Sequence, residues 1–444
     1  MKDRKICTSD SSTQWVLNDR SFLISLSTLV LLSLSYDSVK FLVRTEYMPL
    51  VSLLVLGFFI FFIDKSYITS LFKTTMAFFV FMVLISFLML ISDVKTLNNP
   101  LRISTFVRQF VAFIWGGMTY IVLRRAIVMK RDDWWKPVFI GFLPSLGIAF
   151  IHLLYFVFRK QYLFNIVFAI RNLIMNYSVT SFRVSGLCAE PSSYGKFIIL
   201  VLLPLLVIYK KELRKKQFYI FSFLIFSTFI GTISFTAILL FIVFTSLYLL
   251  FSRKYFFMLF TFLVMVSVLV LSYFLFPDTY MFRVLGMVFS GGRMSTTFID
   301  KFYSFWGPIT HVFNSRIIIG YGFGGDSIYL NDFLPPGIVD MILRIKERGS
   351  GVLTSNFGKI LVYGGVGAFL IYLKVFITAF RLIDRTIVAE SSKYKEVAKA
   401  SLISIFFGYI FSMGNFTFVY LWFWLAYIDS MYYRSCTREV NVRL

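Results

Sequence analysis

Long apolar runs recur from one end of the chain to the other, separated by short polar segments, and this pattern predicts an all-α polytopic membrane protein. A helix needs about 20 apolar residues to cross the hydrocarbon layer. On that measure Phe22–Val39, Met48–Ile63, Leu71–Ile91, Phe106–Val128, Val138–Phe158, Phe197–Tyr209, Phe218–Gly231, Ile233–Phe251, Tyr255–Phe276, Phe357–Phe380, Ser401–Met413 and Phe416–Tyr433 predict about twelve spans. The stretch from Phe218 to Phe251 is too long for one ordinary span, and Gly231-Thr232 near its middle supplies a turn that divides it. Two segments escape the short-loop rhythm, 159–196 and 277–356. The chain therefore divides into a membrane bundle at 1–276 with the smaller segment inside it, a large loop at 277–356, and a C-terminal portion at 357–444 carrying the last three spans and a tail.

Composition agrees with the pattern: 58% of residues are apolar and 56 are Phe, leaving too little charge to cover a soluble protein of 444 residues. The formal net charge of +23 sits mostly in short segments between apolar runs, such as Lys210-Lys211 with Arg214-Lys215-Lys216, and Arg253-Lys254. Such basic loops orient a membrane protein with those loops in the cytoplasm, so nucleic acid is not an expected partner. The same rule puts both termini in the cytoplasm and both long segments outside. No small-residue cleavage site follows the first apolar run after the charged stretch Met1 to Arg20, so Phe22 onward is read as a retained span. Three cysteines and two histidines, all scattered, offer neither a disulfide framework nor a metal site, and no nucleotide loop or dinucleotide fingerprint is present. No cofactor is expected.

The chemistry must then come from arginines, carboxylates and hydroxyls on the two long segments, where binding and catalysis usually sit. The smaller contains Phe182-Arg183-Val184-Ser185-Gly186, and the larger opens with Phe282-Arg283-Val284-Leu285-Gly286. This echo is either coincidence in a Phe-rich chain or a pair of arginines placed beside a membrane-bounded cavity. A guanidinium holds its charge at any relevant pH and grips phosphate bidentately, which a lysine does not. Arg293 in Ser290-Gly291-Gly292-Arg293, and Arg316 before Gly320-Tyr321-Gly322-Phe323-Gly324-Gly325, are further candidates. The alternating glycines suit either a loop wrapped around a ligand or a compact external lid. Glu190, between Ala189 and Pro191, is the leading carboxylate, where partial burial would adapt it for general-base work; its plainer alternative is a salt bridge to Arg183 or Arg171. His311 is a second candidate base, and also reads as a structural histidine.

These features together resemble the O-antigen polymerase family and, more distantly, the O-antigen ligases. The likeness rests on the many spans, on FRVSGLCAEPSSYG at 182–195, on GTISFT at 231–236, and on SGGRMS, Trp306 and NSRIIIGYGFGG in the large loop. It implies an inner-membrane glycosyltransferase that joins undecaprenyl-diphosphate-linked oligosaccharide repeat units at the periplasmic face. Its implied partners are those lipid-linked saccharides, membrane lipids, a chain-length regulator and a repeat-unit flippase. Arg183, Arg283, Arg293 and Arg316 would bind the diphosphate, and Glu190, Arg183, Arg293 and His311 would carry the chemistry. The ligase branch has a histidine near the end of its large loop, whereas this chain reads Leu353-Thr354-Ser355-Asn356-Phe357 there. A ligase acting on lipid A core and a polysaccharide or lipid-linked oligosaccharide transporter are the rival readings; the transporter would need a half-to-half repeat, and none is evident. The orientation has a direct check: with the native cysteines replaced, a cysteine introduced at Ser295 should react with a membrane-impermeant maleimide added from outside, and reaction from the cytoplasmic side alone would reverse it.

Overall fold

A computed structural model describes residues 69–92, 100–129, 133–174, 183–188, 190–257, 296–325, 355–386, 393–411 and 419–443, with single residues 263, 267, 329 and 353 besides. The described elements are helices: α1 Ser70–Ser92, α2 Pro100–Met129, α3 Trp135–Phe158, α4 Gln161–Ile174, α5 Pro191–Ile208, α6 Lys215–Gly231 and α7 Phe235–Phe251, followed by α8 Thr296–Thr310, α9 Ser315–Ile319, α10 Asn356–Arg385, α11 Tyr394–Phe411 and α12 Val419–Arg443. α1, α3, α5, α10 and the Gln109–Met129 part of α2 are each long and apolar enough to cross a membrane. The chain is thus an all-helical, multi-span membrane-associated protein. The runs Phe22–Val39 and Met48–Ile63, and most of Tyr255–Phe276, lie outside the described residues. The division at Gly231-Thr232 falls where it was expected, with α6 ending at Gly231 and α7 beginning at Phe235.

The helices differ in what they face. α1 is apolar all round; Leu71, Phe78 and Met82 are buried, while Val80, Leu84, Phe87 and Leu88 are exposed, as suits a helix with lipid on one side. α12 is the opposite case, buried continuously from Tyr420 to Met431, and it packs along α2 at the centre of the bundle. Trp134 and Trp135, at the start of α3, are buried: their indole N–H groups donate to Tyr209 Oη at 3.0 Å and Glu212 Oε2 at 2.9 Å. Tyr209 and Tyr427 hydroxyls lie 3.1 Å apart, tying α12 into the same aromatic cluster.

Arg124 lies near one end of the expected span Phe106–Val128 and inside α2, with its Nε 2.5 Å from Asp429 Oδ2 of α12 and side-chain exposures of 2% and 0%. Tyr120 Oη donates to the same carboxylate oxygen at 2.7 Å, the guanidinium lies 5.1 Å from the Tyr433 ring, and Arg434 donates to the Ile127 carbonyl. A local pattern reads an arginine at the end of an apolar run as loop. Only the partner on another helix makes its burial affordable, because an unpaired ion in low dielectric is far costlier than a hydrogen-bonded pair.

In α5 and α10 a departure from regularity is answered by a neighbour. Proline at 204 has no N–H for the Leu200 carbonyl, the turn widens into a π segment over Ile198–Leu202, and Trp424 Nε1 donates to that carbonyl at 2.6 Å. In α10, Gly365 adopts φ 68° and ψ −168°, which breaks the ladder; the Val362 and Tyr363 carbonyls accept instead from the N–H groups of Tyr321 and Gly322, at 2.6 and 2.9 Å. A Cβ at position 365 would lie 2.2 Å from the Ile318 carbonyl oxygen. The glycine run 320–325 therefore docks backbone to backbone on a broken helix. This docking was not legible in the sequence, because the break in α10 lies forty residues further on and leaves no trace in the loop's own pattern.

Asp429→Ala should destabilise the protein by roughly 3–5 kcal/mol, since Arg124 would stay buried without its carboxylate, whereas the double change Arg124→Met with Asp429→Leu should restore most of the loss. Thermal unfolding in detergent, followed by tryptophan fluorescence, checks both; equal losses in the single and double variants would refute the coupling.

Candidate functional site

The smaller long segment is built from the end of α3 onward. Arg159 closes α3 in the left-handed conformation, φ 54° and ψ 25°, with its N–H donating to Tyr155 O at 2.7 Å, and the chain turns straight into α4. α4 then runs back along α3. The Phe164 ring lies 5.2 Å from Tyr155 and 6.2 Å from His152, and further along Val167 packs with Ile148 and Leu187. Descending numbers on α3 meet ascending numbers on α4, which is an antiparallel hairpin. What the sequence presented as an external loop is in this part a helix lying on a span.

At the far end of α4, Arg171 is buried and donates to Ser185 Oγ and to the Cys188 carbonyl at 3.1 Å. It pins the segment 183–188 into the bundle. Gly186 sits at φ 55°, and a Cβ there would lie 2.5 Å from Ser145 Oγ and 2.7 Å from the Ser145 carbonyl oxygen. The next N–H, of Leu187, donates to Ser145 Oγ at 2.9 Å. Ser145 is about 20 Å down α3 from its Phe158 end, so the segment is recessed among the helices and does not project beyond them.

The same segment meets the turn between α6 and α7. Val184 N–H donates to Gly231 O and Arg183 Nε donates to Thr232 O, each at 2.9 Å. Ile233 completes the turn at φ 47°, and Ser234 Oγ caps α7 by accepting from Ala237 N–H. The two stretches FRVSGLCAEPSSYG and GTISFT, about fifty residues apart in sequence, are thus in direct contact. Tyr194 strengthens the join, with its hydroxyl 3.0 Å from Thr228 Oγ1 and its ring stacked 5.4 Å from Phe142. Ser145 and Thr228 were not among the sequence candidates; their only signal was a hydroxyl within an apolar run, whereas Thr232 was marked by the Gly231-Thr232 turn and GTISFT.

Glu190 stands at the N-cap of α5, with Pro191 at the first helical position as expected. Its backbone carbonyl accepts from Ser193 and Tyr194 N–H groups, and its Oε2 accepts from Ser192 Oγ at 2.9 Å. The side chain is exposed. This corrects the partial burial expected of it: the capping position turns the carboxylate away from the packed segment that precedes it.

His311 and Arg316 belong to a different part of the structure, on and beside α8 and α9, which pack against α10. His311 follows α8 and its Nδ1 lies 2.8 Å from the Gly307 carbonyl, which can only accept; Nδ1 carries the proton and Nε2 the lone pair of the neutral ring. Arg316 is exposed on α9, whose N-terminus is capped by Asn314 Oδ1 accepting from its backbone N–H at 3.0 Å. Arg283 and Arg293 lie outside the described residues. Among the described residues no three of His, Cys, Asp and Glu converge to hold a metal.

Gly186→Ala should cost roughly 1–3 kcal/mol, because it forces a side chain into the left-handed region and against Ser145. The measurement is the unfolding midpoint in detergent, with Ser185→Ala, which removes one acceptor of Arg171, as a comparison; an unchanged midpoint for Gly186→Ala would show that the segment is not tightly seated.

No protein-family model matches the chain, and no curated protein matches it.

Proposed function

We propose that the chain is a membrane glycosyltransferase that polymerises undecaprenyl-diphosphate-linked oligosaccharide repeat units, making O-antigen or a related surface polysaccharide at the periplasmic face of a bacterial inner membrane. The observation that carries this reading is the junction where Arg183 is tied to the turn at Thr232, with exposed Glu190 at the start of the next apolar helix. This junction lies at the end of α5 and α6 opposite the basic turn that contains Lys210 and Lys211. A guanidinium in a recess at the ends of apolar helices, with a carboxylate beside it, suits a substrate whose tail is a lipid and whose head is a diphosphate bearing sugars. The full reading has about twelve spans, both termini in the cytoplasm, and the segment 277–356 outside.

In this mechanism a hydroxyl of the acceptor repeat attacks the anomeric carbon of the donor saccharide. The new glycosidic C–O bond forms as the bond from that carbon to the diphosphate oxygen breaks, and undecaprenyl diphosphate departs. Glu190 takes the hydroxyl proton, and the Ser192 hydroxyl that donates to Oε2 helps hold the carboxylate in place. His311 is the alternative base through Nε2. Negative charge grows on the leaving diphosphate, where preorganised arginines act most strongly in a dry site. Arg183 is oriented for this by its Nε bond to a fixed carbonyl, with Arg293, Arg283 and Arg316 of the larger segment as its partners. A single displacement inverts the anomeric configuration. A chain-length regulator and a repeat-unit flippase are the proposed protein partners.

The test is reconstitution of the purified protein with defined lipid-linked repeats and analysis of product length. Successive addition of units is the expected outcome; no growth on the authentic substrate would overturn the assignment. Glu190→Gln and Arg183→Ala should each lower the polymerisation rate on the order of a hundredfold at unchanged protein abundance. Retained rate and length in both would remove these residues from the mechanism.

A further inference from the structure

We propose that the Arg159–Lys160 turn and the outward face of α4 form a binding site for an anionic phospholipid of the bilayer. This inference is independent of the glycosyl-transfer reading. α4 is about 21 Å long, too short to cross a hydrocarbon layer of about 30 Å, yet it lies antiparallel against α3, a helix long and apolar enough to cross. It therefore shares the layer that α3 occupies.

Its two faces differ sharply. Val167 and Arg171 are buried against the bundle, whereas Tyr162, Ile166, Phe168 and Leu173 are exposed by 61%, 42%, 44% and 64%. Tyr162, Ile166 and Leu173 share one stripe of the outward side, with Phe168 across the polar strip of Gln161 and Asn165, and such large apolar side chains on a helix packed along a span are matched by acyl chains. The end of this face is charged. The left-handed closure at Arg159 sets Arg159 and Lys160 together at the hairpin tip, both exposed, and neither α3 nor α4 contains an acidic residue to neutralise them.

The arrangement matches one ligand class: a phosphate-bearing headgroup at the tip with its tails running down α4. An anionic phospholipid such as phosphatidylglycerol supplies both parts, and it differs from a zwitterionic lipid by the net charge that two adjacent cations read. Each cation near the membrane surface favours an anionic lipid, so the pair should give a preference on the order of tenfold. Arg171, at the other end of α4, is committed to Ser185 and Cys188 and takes no part.

The test uses the full-length protein carrying Phe168→p-benzoylphenylalanine, with Leu173→p-benzoylphenylalanine as a second variant, in nanodiscs of equal phosphatidylglycerol and phosphatidylcholine. Photolysis and mass spectrometry should show lipid adducts in which phosphatidylglycerol predominates on the order of tenfold, and Arg159→Gln with Lys160→Gln should bring the ratio near one while lipid adducts persist. The same probe at Leu84, on the exposed face of α1, should show no such charge-dependent ratio. Adducts to the chain itself or to a second copy, or equal yields of the two lipids before the double change, would overturn the site. Displacement of phosphatidylglycerol by undecaprenyl phosphate at about a hundredth of its concentration would overturn its assignment to bulk lipid. None of these readouts depends on polymerisation, so failure here and failure of the enzymatic reading are separable.

Discussion

Inside hydrocarbon a peptide N–H or C=O without a partner costs several kcal/mol, and no water is at hand to relieve it. The architecture follows from that constraint. Regular helices satisfy it locally; at several points where the described chain leaves the helical ladder, a group from elsewhere takes over. Trp424 answers the carbonyl that Pro204 cannot serve, and Tyr321 with Gly322 answers the carbonyls released at Gly365. Ser145 receives the Leu187 amide, and the carbonyls of Gly231 and Thr232 accept from Val184 and Arg183. Each irregular stretch is thereby also a point of attachment between distant parts of the sequence.

Charge obeys the same rule at higher stakes. Arg124 is buried because Asp429 gives it opposite charge and a hydrogen bond, with Tyr120 donating to the same carboxylate oxygen, and Arg171 because a serine and a peptide carbonyl receive its donors. The first arrangement binds α2 to the central α12. The second holds the recessed segment that carries Arg183. A guanidinium aimed at a lipid diphosphate has to be held against thermal motion to stabilise developing charge, and this segment is fixed on three sides, by α3, α4 and the α6–α7 turn. Function on this reading depends on the recess being rigid, while Glu190, at the helix start just beyond it, keeps the exposure that a proton acceptor for an incoming hydroxyl requires.

The hydrophobic pattern by itself determined the class of fold and the approximate positions of the long apolar helices, because the thickness of the hydrocarbon and the helical rise fix how many apolar residues a span needs. It also located the turn at Gly231-Thr232 and the helix start at Pro191, since glycine and proline act through their own backbones. The candidate residues Arg183 and Glu190 were legible by residue type and by position outside the apolar runs. Their surroundings were not. That α4 folds back on α3, that Arg171 points inward, that Glu190 is exposed, and that the glycine run repairs a break in α10 were decided by tertiary structure alone. For α4, Arg171 and the glycine run the deciding partner lies on another segment of the chain, and the burial of a charge or the pairing of a carbonyl is a property of the two together.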